Sequence, residues 1–312
     1  MVGRRGLAAG AAVLLTPVAL VAAWRWITSP VRPERSEPPG QPPPRSVPAP
    51  TASEGPALAP EGPLVLGDTG RLAARAIDDT AGAPLDRSLL ALAIRFLGTP
   101  QPAVATAPPA QERLRLDLTS FSDLEFVEQL LALVNSRPVR SQKEGVERFG
   151  EHVRQLRYGG GTVQRCRRHR HRGLWARAAE RQGYLVDLSP FLPGARRRRI
   201  SAPAAAAAVG GSPCPAPAAE TAAYVPLGSL PAALPSLRSG DLFLLVGDAA
   251  PTEGGPIGVV ERRDDRVGSI QVLPGQGVSR LGDLASFARG SAGTVGVTFL
   301  RPVPNGDGRP DR

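Results

Sequence analysis

The sequence predicts an α+β domain in which early helices pack on a later antiparallel sheet. Apolar residues recur at helical spacing through the first half of the chain, as far as Gly183. Runs of β-branched and apolar residues, bounded by Gly, Pro and Asp, dominate the second half from Asp241 to Leu300. Helices followed by strands are typical of the α+β class. Hydrophobic residues make up 42% of the 312 residues, so the chain has enough of them to bury a core.

The amino-terminal residues 1–28 have the pattern of a targeting segment. Arg4 and Arg5 precede a charge-free apolar run from Gly6 to Trp24, which is just long enough to span a bilayer. The pattern fits a cleaved signal peptide and an uncleaved signal anchor equally well. We therefore expect an exported protein that is either periplasmic or anchored in the membrane through its N-terminal segment.

Three further segments have compositions that do not favour a packed core. Residues 29–63 are Pro-rich and are predicted to form a disordered linker. Residues 201–223 are rich in Ala, Pro and Gly and are predicted to be a disordered, low-complexity insertion. Residues 303–312 form a polar tail that is also expected to be disordered. The folded domain is therefore expected over residues 64–302.

The most regular helix is predicted within the stretch from Thr119 to Asn135. Ser122 can cap its amino end, with Glu125 three residues later completing a capping box. Asp123 then lies in the first turn, where the helix dipole favours a carboxylate. One face of this helix is apolar and is expected to be buried; it carries Leu124, Val127, Leu130, Leu131 and Val134.

The other elements follow from the same signals in chain order. Helices are predicted over Arg71–Ile77, Asp86–Leu97, Glu144–Arg157, Leu174–Gly183 and Leu281–Ala288. The alternating run Leu114–Leu118 leads into the central helix. Strands are predicted over Tyr184–Leu188, Asp241–Gly247, Ile257–Glu261, Ser269–Leu273 and Thr294–Leu300.

The charge of the chain is strongly positive and is concentrated in one region. The net charge is +10, and residues 137–199 hold seventeen Lys and Arg against five Asp and Glu. The densest runs are Arg165–Arg172 and Arg196–Arg199. Such a region is either a solvated face with a flexible loop or a patch that binds an anionic polymer or membrane surface. Aromatic residues make up only 4% of the chain and do not alternate with these charges, so no nucleic-acid partner is expected.

The two cysteines, Cys166 and Cys214, do not form a disulfide framework, and the sequence leaves open whether they pair. Cys166, His169 and His171 resemble a metal-ligand cluster in spacing. They lie among arginines whose positive charge opposes a cation. We therefore expect neither a metal nor another cofactor.

Several short motifs, in this order, resemble the bacterial N-acetylmuramoyl-L-alanine amidase-like family, a papain-like group related to the NlpC-type cell-wall cysteine peptidases. The resemblance covers about residues 86–302. It implies a papain-like α+β fold and a setting at the cell wall, with peptidoglycan as the partner. The motifs are Arg95-Phe-Leu-Gly-Thr-Pro100, Leu116-Asp-Leu-Thr-Ser-Phe121, Phe126-Val-Glu128, Leu131-Ala-Leu133, Leu156-Arg-Tyr-Gly-Gly160, Trp175, Leu237-Arg-Ser-Gly-Asp-Leu242, Pro274-Gly-Gln-Gly-Val278 and Gly296-Val-Thr-Phe-Leu-Arg-Pro302.

In that family the central helix begins with a nucleophilic Cys, and a His on a later strand is the base. Here the flanking Phe121 and Phe126 fix the register, which places Asp123 at the Cys position and Pro256 at the His position. All three histidines, His152, His169 and His171, come before the strand-rich half. A carboxylate cannot replace a thiolate in acyl transfer without another mechanism. The resemblance therefore implies a domain without catalytic residues of the family's kind.

Three functional hypotheses follow from these observations. The first is an inactive binding or regulatory module at or near peptidoglycan. The second is an active amidase or peptidase of unusual mechanism, and the third is a basic protein that binds an envelope polymer or the membrane surface. Ser122 as a nucleophile and the pair Asp123 and Glu128 as sugar-hydrolysing carboxylates are both weaker interpretations than a helix cap and a helix start. The possible groove or anion-binding residues are Asp123, Glu128, Arg157, Arg196, Arg197, Arg198 and Arg199.

Overall fold

The computed structural model describes residues 62–102, 112–137, 139–201, 214–247 and 255–304. The predicted targeting segment, nearly all of the Pro-rich linker and most of the polar tail lie outside these residues, as do positions 202–213 of the predicted insertion. Within the described ranges, none of the helices has the length and apolarity needed to cross a membrane.

The helices of the described residues lie mainly in the first half of the domain, as the periodicity predicted. The predicted helices are all present, with ends shifted by a few residues. Their bounds are α1 Thr69–Asp79, α2 Leu85–Arg95, α3 Asp123–Asn135, α4 Gln142–Arg157, α5 Arg172–Arg181, α6 Leu230–Ala233 and α7 Leu284–Gly290.

The strands form one large antiparallel sheet and one small parallel pair. In the large sheet the hydrogen-bonded order is β4-β5-β10-β6-β7-β8-β9, and β3 also pairs with β10. The small pair joins β1 to β2. The bounds are β1 Leu64–Val65, β2 Arg115–Leu116, β3 Leu185–Asp187, β4 Arg196–Ile200, β5 Glu220–Pro226, β6 Leu242–Gly247, β7 Ile257–Arg263, β8 Arg266–Leu273, β9 Gly277–Leu281 and β10 Thr294–Pro302.

The helix α3 lies at the centre of the main hydrophobic core. Phe126, Val127 and Leu131 are fully buried, and Phe121 just before the helix stacks edge-on against Phe96 and Phe126. The same core includes Leu242, Ile257, Val259 and Ile270 from the sheet. A second core contains residues of α6 and α7 together with other sheet residues, among them Phe243, Val260 and Phe299. Early helices packed on a later antiparallel sheet confirm the predicted α+β class.

A tight turn before β6 joins the helical half to the sheet. Gly240 has a φ of +88°, and a Cβ there would lie 2.3 Å from the backbone oxygen of Asp86. The next residue, Asp241, is fully buried and accepts two 2.8 Å hydrogen bonds from the guanidinium of Arg301. Only glycine fits this backbone conformation and this close approach without strain. The Gly-Asp sequence therefore fixes the start of β6 against both α2 and β10.

Three sequence predictions need correction. The run Arg196–Arg199 is not a loop, because it lies in strand β4 and pairs with β5. The predicted disordered insertion ends too late, because residues from Glu220 onward form β5. Leu281 ends strand β9, and the helix α7 begins only at Leu284.

The two cysteines form a disulfide bond that joins distant parts of the chain. Cys166 lies in a short 3-10 turn before α5, and Cys214 lies shortly before β5 and is buried. The sequence left open whether these cysteines pair, and the structure shows that they do.

Candidate functional site

The start of α3 is built as the sequence predicted. Ser122 is the N-cap, and its hydroxyl accepts a hydrogen bond from the backbone N–H of Glu125. The same hydroxyl donates a 2.9 Å hydrogen bond to the Glu125 carboxylate. Because both interactions occupy the hydroxyl, Ser122 acts as a helix cap, which is the interpretation that its sequence context favoured.

Asp123 is the first residue of α3 and is paired with a cation from α5. Its carboxylate accepts a 2.7 Å hydrogen bond from the guanidinium of Arg172, and both side chains are mostly buried. The carboxylate also accepts the N–H of Leu124 at 2.8 Å. A negative charge at this position interacts favourably with the helix dipole. The helix start therefore carries a neutralised ion pair.

A second cation of the basic run forms further ion pairs near the start of α3. Arg168 lies 3.3 Å from Glu112 and 3.3 Å from Glu125, and it comes from the basic run Arg165–Arg172. Burial alone would raise the pKa of Glu125, but Arg157, the Ser122 hydroxyl and Arg168 outweigh burial and hold that pKa below its usual value. Two arginines of the basic run are thus used inside the domain.

Glu128 and Arg157 form a buried ion pair behind the helix start. Glu128 is 1% exposed, Arg157 is 2% exposed, and the guanidinium Nε donates to the carboxylate at 2.9 Å. Burial raises the pKa of Glu128 against the opposing attraction of Arg157. Burial disfavours the charged form of Arg157, yet Glu128 and Glu125 together raise its pKa. This pair holds α3 against α4, so the expectation that these two residues line a groove or bind an anion is wrong.

Pro256 lies directly before β7, at the end of the sheet where β6 finishes. Its carbonyl accepts a 2.9 Å hydrogen bond from the N–H of Leu245, and its side chain is exposed. A proline has no group that could act as a base. The position that the resemblance assigns to a catalytic histidine is thus a backbone hydrogen-bonding position in this chain.

Each of the three histidines is buried enough to lower its pKa, and burial is the largest cause in each case. His152 lies 2.7 Å from the Tyr184 hydroxyl. His171 caps α5, since its Nδ1 accepts the N–H of Leu174 at 3.3 Å. In the neutral ring this hydrogen bond places the proton on Nε2.

Cys166, His169 and His171, whose spacing resembles a metal-ligand cluster, are not available together as ligands. Cys166 is bonded to Cys214, so its sulfur is not available as a thiolate ligand. Across the described ranges, no group of three or more His, Cys, Asp and Glu side chains has the arrangement of a metal site.

A pocket lies between α5, the paired strands β4 and β5, and the end of β6. It borders Pro256 through Gly255, and His171, Arg198 and Arg199 are among its lining residues. Of the predicted site residues, Asp123 does not belong to the described lining, whereas Arg198 and Arg199 do. Arg196, Arg197 and Arg199 are exposed on the edge strand.

Sequence reasoning missed His171 and this pocket. A histidine among arginines gives no local signal for a cap or a pocket wall, because both roles depend on where α5 packs. The only available signal was its position three residues before Leu174, where the predicted helix begins.

No protein-family model matches the sequence. No curated protein matches it either. Several solved structures have a similar fold. An N-acetylmuramoyl-L-alanine amidase from Bacteroides uniformis aligns with a TM-score of 0.57 at 17% identity, over 70% of this chain and 98% of that chain. The chain has an amidase-like fold.

A protein from Legionella pneumophila, LPG0564, assigned to the domain family DUF1460, aligns with a TM-score of 0.62 at 12% identity. The match covers 76% of this chain and 95% of that chain. At such identities the likeness establishes the shared fold, and function must be argued from the residues of this chain.

Proposed function

We propose that this chain is an exported cell-envelope protein whose amidase-like domain binds peptidoglycan or regulates its processing without hydrolysing it. The observation that carries the proposal is the ion pair between Asp123 and Arg172 at the start of α3. A papain-like relationship to the NlpC-type peptidases, in which this helix start holds the nucleophile, belongs to the same proposal.

The chemistry of the helix start supports inactivity. A cysteine there would be favoured as a thiolate by the helix dipole, and a neighbouring imidazole would shuttle its proton. Asp123 is a weak nucleophile whose charge is already neutralised by Arg172. Pro256 supplies no proton acceptor on its side chain. These residues favour a domain that keeps the scaffold and has lost the acyl-transfer chemistry.

The edge strand β4 supports the binding part of the proposal. Arg196 and Arg197 are exposed on this strand, which places cationic groups where an anionic polymer can reach them. Charged side chains on an edge strand also prevent unwanted strand pairing. Protection of the edge is the alternative role for the same arginines, and a binding measurement distinguishes the two.

The test is sedimentation of the purified domain with insoluble peptidoglycan at low and high salt. We expect binding that weakens as salt rises, because the contacts are between exposed charges. The double variant Arg196→Ala/Arg197→Ala should bind several-fold more weakly. The matched control is Arg87→Ala/Arg266→Ala, which removes the same charge from exposed positions on α2 and β8.

Equal loss of binding in both double variants would show that net charge alone, and not the β4 surface, is responsible. Absence of sedimentation at low salt would refute the binding part of the proposal. Release of peptides or new amine groups from the peptidoglycan above a buffer control would refute the inactive part.

A further inference from the structure

We propose that the pocket between α5, β4 and β6 binds a short-chain carboxylate, with the acyl chain inside and the carboxylate at its cationic rim. This inference does not depend on the proposed function, because the pocket does not include the exposed Arg196 and Arg197 surface.

The body of the pocket is apolar. Its walls include Ala176 from α5, Ala222 from β5, Leu244 and Val246 from β6, and Leu300 from β10. The one hydroxyl from β10, that of Thr298, is already used in a 2.8 Å hydrogen bond to the carbonyl of Ala223. Apolar walls favour a hydrocarbon chain. The cavity has a volume of about 70 Å³, which restricts the occupant to a short chain.

A glycine keeps one end of this cavity open. A Cβ on Gly173 would lie 3.1 Å from the His171 ring and 3.3 Å from Ile200. Both of these side chains line the pocket. The absence of a side chain at Gly173 therefore allows α5 and β4 to form the two sides of the cavity.

The polar groups of the pocket fit an anionic head group. Arg177, Arg198 and Arg199 contribute three positive charges to the lining, against the single carboxylate of Asp187. Arg177 already interacts with Glu180 and lies 3.9 Å from Asp187. Arg198 donates to the backbone carbonyl of Gly247. We therefore assign the exposed Arg199 as the cation that pairs with a carboxylate at the rim.

His171 lines the same pocket and has a ring nitrogen that can donate a hydrogen bond. It is 7% exposed, and its Nδ1 is engaged by the N–H of Leu174. The remaining ring nitrogen, Nε2, carries the proton in the neutral ring. A carboxylate accepts from such a donor, whereas an ammonium group cannot. The donor and the arginines together select an acid over an amine.

The test is calorimetric titration of the domain with butanoate, compared with butylamine and 1-butanol as ligands of the same chain length. We expect butanoate to bind more tightly than either. Arg199→Ala should weaken butanoate binding about tenfold through loss of a charge-assisted hydrogen bond. Arg266→Ala, which removes an exposed arginine outside the pocket, should leave it unchanged.

A pocket-filling variant, Ala222→Leu, tests the position of the chain, because residue 222 is only partly buried and tolerates a larger side chain. It should abolish butanoate binding while circular dichroism and thermal unfolding remain close to those of the unmodified protein. If that variant fails to fold, butanoate-induced shifts in the NMR signals of His171, Ala176 and Leu244 give the same information. The proposal is refuted if butanoate does not bind at millimolar concentration, if the shifts lie elsewhere, or if Arg199→Ala and Arg266→Ala behave alike.

Discussion

At the residue scale, the charged groups around α3 differ in how much stability they contribute. Glu128 and Arg157 are removed from water, so each depends on the other to remain charged. The pair of Glu144 and Arg148 on the surface of α4 has the same chemistry but is partly exposed to solvent. The burial of an ion pair, and not the number of ion pairs, therefore decides how much the pair contributes to stability.

Arg157→Met should therefore lower the free energy of unfolding by about 3–5 kcal/mol, because it leaves the Glu128 carboxylate buried without its cation. Arg148→Met is the matched control on the same helix and should cost less than about 0.5 kcal/mol. Urea unfolding measures both values. Equal effects of the two substitutions would contradict the structural role assigned to the buried pair.

His171 gives the protein a predictable response to acid. Burial, with a smaller effect of Arg172, holds its folded-state pKa below the ordinary 6.5. Below about pH 6.5 the unfolded chain gains a proton that the folded ring does not accept. Its contribution to stability is therefore complete above pH 6.5 and is lost as the pH falls through the folded-state pKa.

His171→Asn keeps a side-chain acceptor for the helix cap but does not titrate. We expect the variant to lose less unfolding free energy between pH 7.5 and pH 5.5 than the unmodified protein loses. Urea unfolding at the two pH values provides the comparison. An unchanged difference would show that His171 does not contribute to the acid response.

At the scale of elements, the turn before β6 requires a glycine at position 240 for two reasons. One is the positive φ of this residue, and the other is the close approach of the Asp86 backbone. Gly240 and Gly82 both have positive φ, but a Cβ on Gly82 meets no atom within 4 Å. Gly82→Ala should cost about 1 kcal/mol from backbone conformation alone. Gly240→Ala should cost at least about 2 kcal/mol more, because α2 or β6 must also move. Thermal unfolding compares the two, and equal shifts would contradict the close contact with Asp86.

The elements also show what sequence could predict. Local signals predicted several elements closely. They are the apolar periodicity of α3 and α4 and the β-branched runs of β6, β7 and β10. Strand β4 was missed because four consecutive arginines indicate a solvated loop. Its strand conformation comes from pairing with β5, which no local pattern reveals.

In the candidate site, too, the residues with a local sequence signature were predicted and their distant partners were not. Ser122 and Asp123 were predicted correctly as cap and first turn, because helix starts have a local signature. Their partners were not predicted, since Arg168 and Arg172 come from a different part of the chain. The buried position of Arg157 was missed for the same reason.

At the scale of the whole molecule, the disulfide links the segment before α5 to the segment before β5. The loop that it closes spans 48 residues and includes β3, β4 and α5. In the chain-entropy description, a loop of this length stabilises the folded state by up to about 4 kcal/mol.

We expect protein produced in an oxidising compartment to show no free thiol after denaturation and two after reduction. The reduced protein should unfold at lower urea concentration, by an amount that corresponds to at most about 4 kcal/mol. The variant Cys166→Ala/Cys214→Ala should match the reduced protein and should not respond to reductant. Two free thiols before reduction would contradict the pairing.

The central claim for the whole molecule is that an amidase-like scaffold has been kept without a working nucleophile and base. The most direct measurement is the release of new amine groups when the purified domain is incubated with peptidoglycan. We predict a rate no higher than that of a buffer control, and the same for Asp123→Ala. Release of amine groups that disappears in Asp123→Ala would contradict the claim and would identify Asp123 as a catalytic residue.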